Sequence, residues 1–266
     1  MTDRYAVIGN PVAHSKSPWI HAQFARQTGQ AIEYHAILAP TDGFFGVVAE
    51  FRAAGGRGAN VTLPFKRDAF RFAVRTSGRA RSAQAVNTLV FADEETYGDN
   101  TDGAGLIRDL ERNHGFGLAG KRVLLMGAGG AAQGVVGPLL DAQPSKLAIA
   151  NRTAHKAIAL AARFPPVSGG GYAAVSGEQF DLVINATSAG LSDQLPALPK
   201  AIFARGALAY DMVYGRDTPF LRLARDAGAA ASDGLGMLVE QAAESFFIWR
   251  GVRPDTAPVL AALRSA

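Results

Sequence analysis

Two hydroxyl side chains stand close together near the start of the chain, where they can bind an anion. Ser15 and Ser17 are two residues apart in the segment Gly9–Pro18, which leads from the first expected strand into a helix. Hydroxyl groups in such a loop can donate hydrogen bonds to a carboxylate. The alternative is that Ser17 caps the helix, with Pro18 at its first position, while Ser15 is solvated. The residues alone leave both interpretations open.

Further polar groups follow within roughly the first hundred residues. Asn60, Thr62 and Lys66 bring an amide, a hydroxyl and an ammonium group to a strand end and its turn. Asn87 adds an amide in a buried-strand pattern, and Asp102 adds a carboxylate. Because the flanking apolar residues predict burial, these groups need hydrogen-bond partners. A polyhydroxylated ligand can supply them.

A glycine-rich turn in the middle of the chain predicts a dinucleotide site. The apolar strand pattern Arg122–Met126 runs directly into Gly127–Ala132, and a helical pattern begins at about Ala131. Glycines at such a turn let the backbone approach a pyrophosphate, which binds at the helix N-terminus. Ala132 takes the place of the third glycine. A glycine-rich turn without a ligand is the alternative.

The residues after the next strand indicate which dinucleotide binds. NAD-binding domains usually carry an acidic residue there, but this chain has Asn151, Arg152, Thr153 and Lys156. The two cations suit a 2′-phosphate, and one charge-assisted hydrogen bond contributes roughly 1.5–3 kcal/mol, or about 10- to 150-fold in affinity. We therefore expect NADP to be preferred over NAD, the alternative being two solvated surface cations.

Composition narrows the class of protein. The chain has 266 residues, of which 48% are hydrophobic, and it contains no long uncharged apolar run of a membrane span. It begins almost at once with a strand pattern and has no cysteine, so we expect a cytoplasmic protein without signal peptide or disulfides. The net charge is +4, but the cations are scattered, which argues against nucleic acid. The five histidines form no ligand-spaced cluster, so no metal is expected.

The elements that must position these groups form an α/β pattern in two series. In the first, strands are predicted at 5–8, 32–38, 59–62, 88–91 and 96–98, and helices at 18–27, 43–54, 67–74 and 104–113. The second has strands near 122–126, 146–151, 171–175, 181–186, 207–212 and 229–232. Six strands complete a doubly wound nucleotide domain. The last helices, at 237–250 and 256–264, are therefore expected to return to the first domain.

Taken together, the motifs resemble those of the shikimate dehydrogenases, in the family's order and over essentially the whole chain. The stretches that carry the resemblance are Val7–Val12 with His14–Pro18, Asn60–Lys66, Ala85–Thr88, Asn100–Asp102, Gly127–Ala132, Asn151–Thr153, Ile184–Ser188, Asp211–Tyr214 and Asp233–Met237 with Gln241. The resemblance implies a substrate-binding catalytic domain of residues 1–103 and 237–266 and a Rossmann NADP-binding domain of residues 104–236. It also implies reversible, NADP-dependent reduction of 3-dehydroshikimate to shikimate in aromatic amino-acid biosynthesis.

The resemblance also assigns roles. Lys66 and Asp102 match the catalytic pair, in which the ammonium stabilises and protonates the alkoxide left by hydride transfer and the carboxylate holds the lysine. Ser15 and Ser17, with Tyr214 assisting, match the groups that bind the substrate carboxylate. The ring hydroxyls are assigned to Thr62, Asn87, Asp102 and Gln241, with Asn60 in support.

On the cofactor side, the backbone turn is assigned to the pyrophosphate and residues at later strand ends to the nicotinamide half. The turn comprises Gly127, Ala128, Gly129, Gly130 and Ala131, the adenosine phosphate end is assigned to Asn151, Arg152, Thr153 and Lys156, and the nicotinamide half to Thr187, Ser188, Met212 and Gly234.

Two other functions remain open at this point. A broader quinate/shikimate dehydrogenase shares most of these motifs, but such enzymes often use NAD, which Arg152 and Lys156 disfavour. A non-catalytic NADP-binding sensor can keep the glycine turn but has no need of Lys66 and Asp102. Whether the protein is a monomer or a homodimer does not follow from the sequence.

Overall fold

The computed structural model describes residues 2–92, 95–187 and 198–265. The chain divides into two compact units. The first unit comprises Met1–Gly105 and Leu238–Ala266, and the second comprises Leu106–Met237.

The first unit is an α/β unit with a mixed sheet, in which some strand pairs are parallel and others are antiparallel. Its elements are β1 (Asp3–Gly9), α1 (Ser17–Thr28), β2 (Ile32–Leu38), α2 (Phe44–Ala53), β3 (Gly56–Val61), α3 (Lys66–Phe72), β4 (Arg75–Thr76), α4 (Gly78–Ala83), β5 (Thr88–Phe91), β6 (Thr96–Asp99) and the start of α5 (Asp102–Arg108). Among the described residues, six strands form a sheet in the order β2-β1-β3-β5-β6-β4. The pairs β1–β2, β1–β3 and β4–β6 are parallel, and β5 is antiparallel to both its neighbours.

The second unit is a doubly wound parallel sheet. A π-helical turn (Asp109–Asn113) continues α5 and is followed by β7 (Arg122–Met126), α6 (Gly130–Asp141), β8 (Lys146–Ala150), α7 (Ala154–Ala161), β9 (Ser168–Gly170), β10 (Phe180–Asn185), β11 (Phe203–Asp211), α8 (Pro219–Asp226) and β12 (Ala230–Asp233), with 3₁₀ turns at Tyr172–Val175 and Lys200–Ile202. The described strands pair in the order β12-β11-β10-β7-β8-β9, all parallel. This order confirms the doubly wound fold that the strand and helix pattern predicted.

The parallel sheet has a core on each face, which explains why its strands read as almost continuous apolar runs. Successive side chains of a strand point to opposite faces, so Val123 and Leu125 pack on one side with α6 residues such as Val135. Leu124 lies on the other side, with α8 residues such as Phe220.

The C-terminal helices belong to the first unit, as expected. They are α9 (Leu235–Arg250), which begins in the second unit, and α10 (Ala257–Arg264). Trp249 of α9 stacks on Tyr5 of β1 with ring centroids 4.6 Å apart and donates a hydrogen bond to the Leu89 carbonyl at 3.0 Å. Helix α9 thus packs against the sheet of the first unit.

The strand predicted at 171–175 is wrong. The third strand of the second unit is Ser168–Gly170, and Tyr172–Val175 is a 3₁₀ turn. The strand lacks the apolar pattern because it packs closely on α7: a Cβ on Gly169 would lie 2.4 Å from the carbonyl oxygen of Ala157. The short elements β4 and α4 also went unpredicted, since two strand residues and a six-residue, arginine-rich helix carry no readable periodicity.

Candidate active site

An ammonium and a carboxylate meet in the first unit. Lys66 is the first residue of α3, at the end of the turn that follows β3, and Asp102 is the first residue of α5. The Nζ of Lys66 donates to Oδ2 of Asp102 at 2.5 Å. Their side chains are 18% and 8% exposed, so the pair is largely screened from water. The structure therefore brings together the two residues expected to be catalytic.

The Asn87 side chain connects this pair to the other predicted substrate groups. Its Nδ2 donates to Oδ1 of Asp102 at 2.9 Å and to Oε1 of Gln241 on α9 at 3.3 Å. Its Oδ1 accepts from the backbone N–H of Thr101 at 2.8 Å, which fixes the orientation of the amide. Asp102 is thus held from both sides, by Lys66 on one oxygen and Asn87 on the other.

Asn60 lies behind Asn87 in a fully buried layer. Its Nδ2 donates to the main-chain carbonyl of Asn87 at 3.1 Å and to the hydroxyl of Ser245 at 3.0 Å. Its Oδ1 accepts from the phenol of Tyr34 at 2.7 Å. The position supports the sequence assignment of Asn60 to a layer behind the site, since its hydrogen bonds go to protein groups.

Four polar residues of this cluster were missed by sequence reasoning. They are Tyr34, Thr88, Thr101 and Ser245. Ser245 lies one helical turn after Gln241, on the same face of α9, and donates to its carbonyl at 3.0 Å, a spacing that could have identified it. Tyr34 carries no local signal, because a tyrosine is an ordinary strand residue and the sequence of β2 does not show which group its hydroxyl meets.

Ser17 is not a helix cap. The residue that caps α1 is Lys16, without a side-chain hydrogen bond, and the N–H of Ser17 donates to the hydroxyl of Ser15 at 3.2 Å. Ser17 is buried and Ser15 half-buried. The capping alternative is therefore wrong: Ser15 lies in the loop before α1, and Ser17 is the first residue of the helix. Thr62, half-buried, follows β3 directly.

Tyr214 belongs to the second unit. It is partly buried, and burial raises the pKa of its phenol. Its part in carboxylate binding stays a prediction.

The glycine turn of the second unit has the backbone that a pyrophosphate site requires. Gly127 has φ +108°, and a Cβ there would lie 3.0 Å from the carbonyl oxygen of Ala186, so only glycine fits without strain. Gly129 and Gly130 have no atom within 4 Å of where a Cβ would stand, which leaves room beside the backbone. Helix α6 begins at Gly130 without a side-chain cap. The turn thus fits a group that accepts hydrogen bonds from these N–H groups.

The predicted 2′-phosphate residues lie at the end of β8. Asn151 donates from Nδ2 to the carbonyl of Thr153 at 3.0 Å, which shapes the loop before α7. Arg152 and Lys156 are exposed. Arg152 lies near Tyr172 and lowers the pKa of that phenol against the larger, raising effect of burial. The loop therefore presents two cations to solvent beside a partly buried aromatic ring.

A buried carboxylate organises the ends of β10 and β11. Asp211 accepts from Nδ2 of Asn185 at 3.1 Å, from the hydroxyl of Thr218 at 2.6 Å and from the N–H of Val213 at 3.0 Å. Asn185 in turn accepts from the N–H and hydroxyl of Thr187, at 3.1 and 2.7 Å. Burial raises the pKa of Asp211, and its three donors oppose that effect.

The remaining predicted nicotinamide residues lie at the same edge of the sheet. The N–H of Met212 donates to the carbonyl of Asn185 at 3.0 Å, and a Cβ on Gly234 would lie 2.5 Å from the Met212 carbonyl oxygen. Thr187, Met212 and Gly234 therefore lie together at the carboxyl ends of neighbouring strands, where open α/β sheets bind ligands. Ser188 lies outside the described residues.

Within residues 2–92, 95–187 and 198–265, no three histidine or acidic side chains are grouped as a metal site would require. The same residues include no helix with the length and apolarity needed to cross a membrane.

Comparison with known proteins relates both units to one family. Residues 7–89 match the family model described as shikimate dehydrogenase substrate binding domain, residues 110–192 that described as shikimate / quinate 5-dehydrogenase, and residues 234–264 that described as shikimate 5′-dehydrogenase C-terminal domain. A shikimate dehydrogenase (NADP(+)) from Dechloromonas aromatica (strain RCB) is 62% identical over 270 residues, covering 100% of this chain and 98% of the relative.

Two solved structures are similar over nearly their whole length. An Ael1 enzyme from Pseudomonas putida is 51% identical with a TM-score of 0.95, covering 98% of each chain. A shikimate 5-dehydrogenase from Thermus thermophilus, in complex with NADP(H) and shikimate, is 35% identical with a TM-score of 0.90, covering 99% of each chain.

Proposed function

Since the chain belongs to the shikimate dehydrogenase family and is an NADP-dependent shikimate dehydrogenase, we propose a division of its labour. Residues 1–103 and 237–266 bind and orient the substrate, and residues 104–236 bind NADP. The distribution of polar side chains supports this division: the Lys66–Asp102 pair and its amide partners belong to the first unit, and the glycine turn to the second.

Lys66 and Asp102 are the catalytic pair. When bound, NADPH would supply a hydride to the C3 carbonyl of 3-dehydroshikimate, which would place negative charge on the carbonyl oxygen. The ammonium of Lys66 stabilises that oxygen and gives it a proton, and in the reverse direction the neutral amine takes the proton back. Asp102 keeps Nζ in one place and accepts a hydrogen bond from a neighbouring substrate hydroxyl. The 2.5 Å contact between Nζ and Oδ2 is the observation that carries this proposal.

The substrate is held by groups at its two ends. Ser15 and Ser17 donate to the carboxylate, with Tyr214 assisting. The ring hydroxyls are bound by Thr62, Asn87, Asp102 and Gln241, with Asn60 behind them. The network supports these roles because amide and carboxylate groups that already share hydrogen bonds present a fixed pattern of donors and acceptors to a polyol.

NADP is held at three places in the second unit. Backbone N–H groups of the turn from Gly127 to Ala131 bind the pyrophosphate, and Arg152 and Lys156, in the loop with Asn151 and Thr153, bind the 2′-phosphate. The nicotinamide half is bound beside Thr187, Ser188, Met212 and Gly234. The open space at Gly129 and Gly130 and the exposure of both cations support this assignment.

The enzyme prefers shikimate to quinate as its substrate and NADP to NAD as its cofactor. The cations at the end of β8 support the cofactor preference, because NAD lacks the phosphate that they would pair with. The second candidate is a broader quinate/shikimate dehydrogenase, since one matching family model covers both activities.

A spectrophotometric comparison tests this specificity. Shikimate and quinate are each assayed with NADP and with NAD, and kcat/KM is compared for the four combinations. We expect shikimate with NADP to give the highest value. A higher value for quinate, or for NAD, would overturn the narrower assignment.

The assembly and location of the enzyme are separate proposals: a monomer or homodimer that works in the cytoplasm. The absence of cysteine supports the location, because a chain without disulfides suits a reducing compartment. Light scattering coupled to gel filtration would distinguish the two assemblies, and a mass above that of a dimer would contradict both.

A further inference from the structure

A charged cluster in the first unit joins β6 to α9. The Arg79 side chain, from α4, donates from Nε to Oδ1 of Asp99 at 2.7 Å and from Nη2 to Oδ2 at 2.9 Å. Its Nη1 and Nη2 also donate to Oε1 of Glu244 on α9, at 3.2 and 3.1 Å. The side chains of Arg79, Asp99 and Glu244 are 28%, 6% and 11% exposed. One guanidinium, largely screened from water, thus bridges two carboxylates.

The two carboxylates stand next to residues of the proposed substrate site. Asp99 is the last residue of β6 and comes three residues before Asp102. Glu244 comes three residues after Gln241, which places both side chains on one face of α9. Arg79 therefore connects the strand end that leads to Asp102 with the helix turn that follows Gln241.

The strand end is also held by contacts that do not involve Arg79. Oδ1 of Asp99 accepts from the N–H of Asn100 at 2.7 Å. The Asn100 side chain donates from Nδ2 to the carbonyl of Ala85 at 3.0 Å, and its Oδ1 accepts from the N–H of Asp102 at 3.1 Å. Asp102 therefore keeps its place on the sheet if Arg79 is lost.

Two contacts hold the turn of α9 that follows Gln241. Ser245 makes one of them, through its hydroxyl, to the strands of the first sheet. Glu244 makes the other, to Arg79. Without the guanidinium, the carboxylates of Glu244 and Asp99 would face each other with no cation between them, and buried like charges repel. We expect this turn of α9 to move away from β6, and Gln241 with it.

The contacts of Gln241 are sensitive to such a movement. Its Oε1 accepts from Nδ2 of Asn87 and from the hydroxyl of Thr101, both at 3.3 Å, and its Nε2 donates to the carbonyl of Leu238 at 2.9 Å. The two hydrogen bonds to Oε1 are already long, so a small shift of the helix breaks them. The partner on its own helix, Leu238, would move with it.

We propose that Arg79 is a positioning residue for the known reaction: it holds α9 against β6, so that Gln241 and Asn87 meet the ring hydroxyls of the substrate together. The inference rests on the proposed roles of Gln241 and Asn87 in substrate binding. It adds that the position of Gln241 depends on a guanidinium that acts through the helix and not by contact with the substrate.

The proposal predicts a change in binding with little change in turnover. Arg79→Met keeps the apolar part of the side chain and removes the guanidinium. The KM for shikimate should rise about 10-fold, as for the loss of one hydrogen bond to the substrate, and the KM for NADP should stay within about twofold. Lys66 and Asp102 keep their contact, so kcat should stay within about threefold. A loss of stability with an unchanged KM for shikimate would overturn the proposal.

A matched control is Arg253→Met. Arg253 also pairs with Glu244, through Oε2 at 2.8 Å, and its side chain is 35% exposed. It lies after the end of α9, so its ion pair does not connect the helix to β6. This variant removes a cation from the same carboxylate and should leave the KM for shikimate within about twofold. Equal effects of Arg79→Met and Arg253→Met on that KM would contradict the role of Arg79.

A double-mutant cycle separates this inference from the proposed function. If Gln241→Ala alone raises the KM for shikimate, the substrate-binding role of Gln241 stands, and the addition of Arg79→Met should raise the KM no further. A further rise equal to that of the single Arg79→Met variant would overturn the role of Arg79 alone. An unchanged KM in Gln241→Ala would instead overturn the proposed contact of Gln241 with the substrate, and the inference with it.

If Arg79→Met does not fold, Glu244→Ala carries the test. It removes the link to α9 and leaves Arg79 paired with Asp99. The KM for shikimate should again rise about 10-fold with kcat within about threefold. A folded Glu244→Ala enzyme with an unchanged KM would show that this link does not position Gln241.

Discussion

Lys66 and Asp102, 36 positions apart in the sequence, meet through a 2.5 Å hydrogen bond between Nζ and Oδ2. The other carboxylate oxygen accepts from Asn87 at 2.9 Å, so Asp102 cannot turn away from the lysine without losing a second partner. Both side chains are largely buried. Such a pair keeps an ammonium in one place, with its remaining N–H groups available to a substrate oxygen.

Arg152→Ala should weaken the binding of NADP and leave that of NAD almost unchanged. Only NADP carries the 2′-phosphate, and the loss of one charge-assisted hydrogen bond corresponds to a KM for NADP raised about 10-fold or more. Initial rates with each cofactor measure this. Arg205→Ala, at an exposed position on β11, serves as the control. Equal losses with both cofactors would contradict the role of Arg152.

Asp211→Asn should destabilise the protein and raise the KM for NADP more than the KM for shikimate. An amide presents one oxygen where the carboxylate now accepts from Asn185, Thr218 and the N–H of Val213. A buried donor left unsatisfied costs about 1–3 kcal/mol, which denaturant unfolding can measure.

The control for this variant is Asp217→Asn, whose carboxylate is exposed and pairs with Arg222 and Arg225. This variant should change the free energy of unfolding and the KM for NADP only slightly. If Asp211→Asn lowers stability without affecting the KM for NADP, Asp211 does not position the residues after β10 and β11 that are assigned to the nicotinamide half.

The free energy of unfolding should fall in mild acid because His21 is buried in its neutral form. Burial lowers the pKa of His21 from 6.5 to about 3. Since the folded-state value is the lower one, its contribution to stability is fully present above about pH 6.5 and is lost as the pH falls toward 3. At pH 5.5 the loss amounts to about 1.4 kcal/mol. The groups packed against the ring, Tyr34, Phe24, Asn60, Phe246 and Trp249, carry no charge that would offset it.

Urea unfolding at pH 7.5 and 5.5 measures this effect. In His21→Phe the difference in unfolding free energy between the two pH values should shrink by about 1.4 kcal/mol relative to the wild type. His35→Gln, which changes an exposed histidine on β2, should leave it unchanged. A wild-type difference retained in full by His21→Phe would show that this histidine is not the titrating group.

The sequence predicted the elements best where burial imposes a simple period. The apolar runs of β7, β8 and β10 identified their strands, because both faces of the sheet are covered. The failure at Ser168–Gly170 has the opposite cause, since that strand packs on α7 through the absence of side chains. Close packing of backbone leaves no hydrophobic pattern to read.

The polar residues of the site also divide into those that the sequence identified and those that it did not. Lys66, Asn87 and Asp102 were identified from motifs, and the structure joins them directly. Tyr34 and Ser245 were not identified, because their roles depend on contacts with residues 26 and 185 positions from them in the sequence. Only the folded sheet brings the phenol of β2 and the hydroxyl of α9 to the same asparagine.

The most direct test of the account is the kinetics of Lys66→Met compared with Lys146→Met, a control in which the lysine pairs with Glu178 in the second unit. Methionine keeps much of the length of the side chain and removes the transferable proton. We predict that Lys66→Met lowers kcat by about 100- to 10,000-fold while the KM for shikimate changes by less than about fivefold, and that Lys146→Met changes neither. A Lys66→Met enzyme that keeps its turnover and loses only affinity for shikimate would contradict the account.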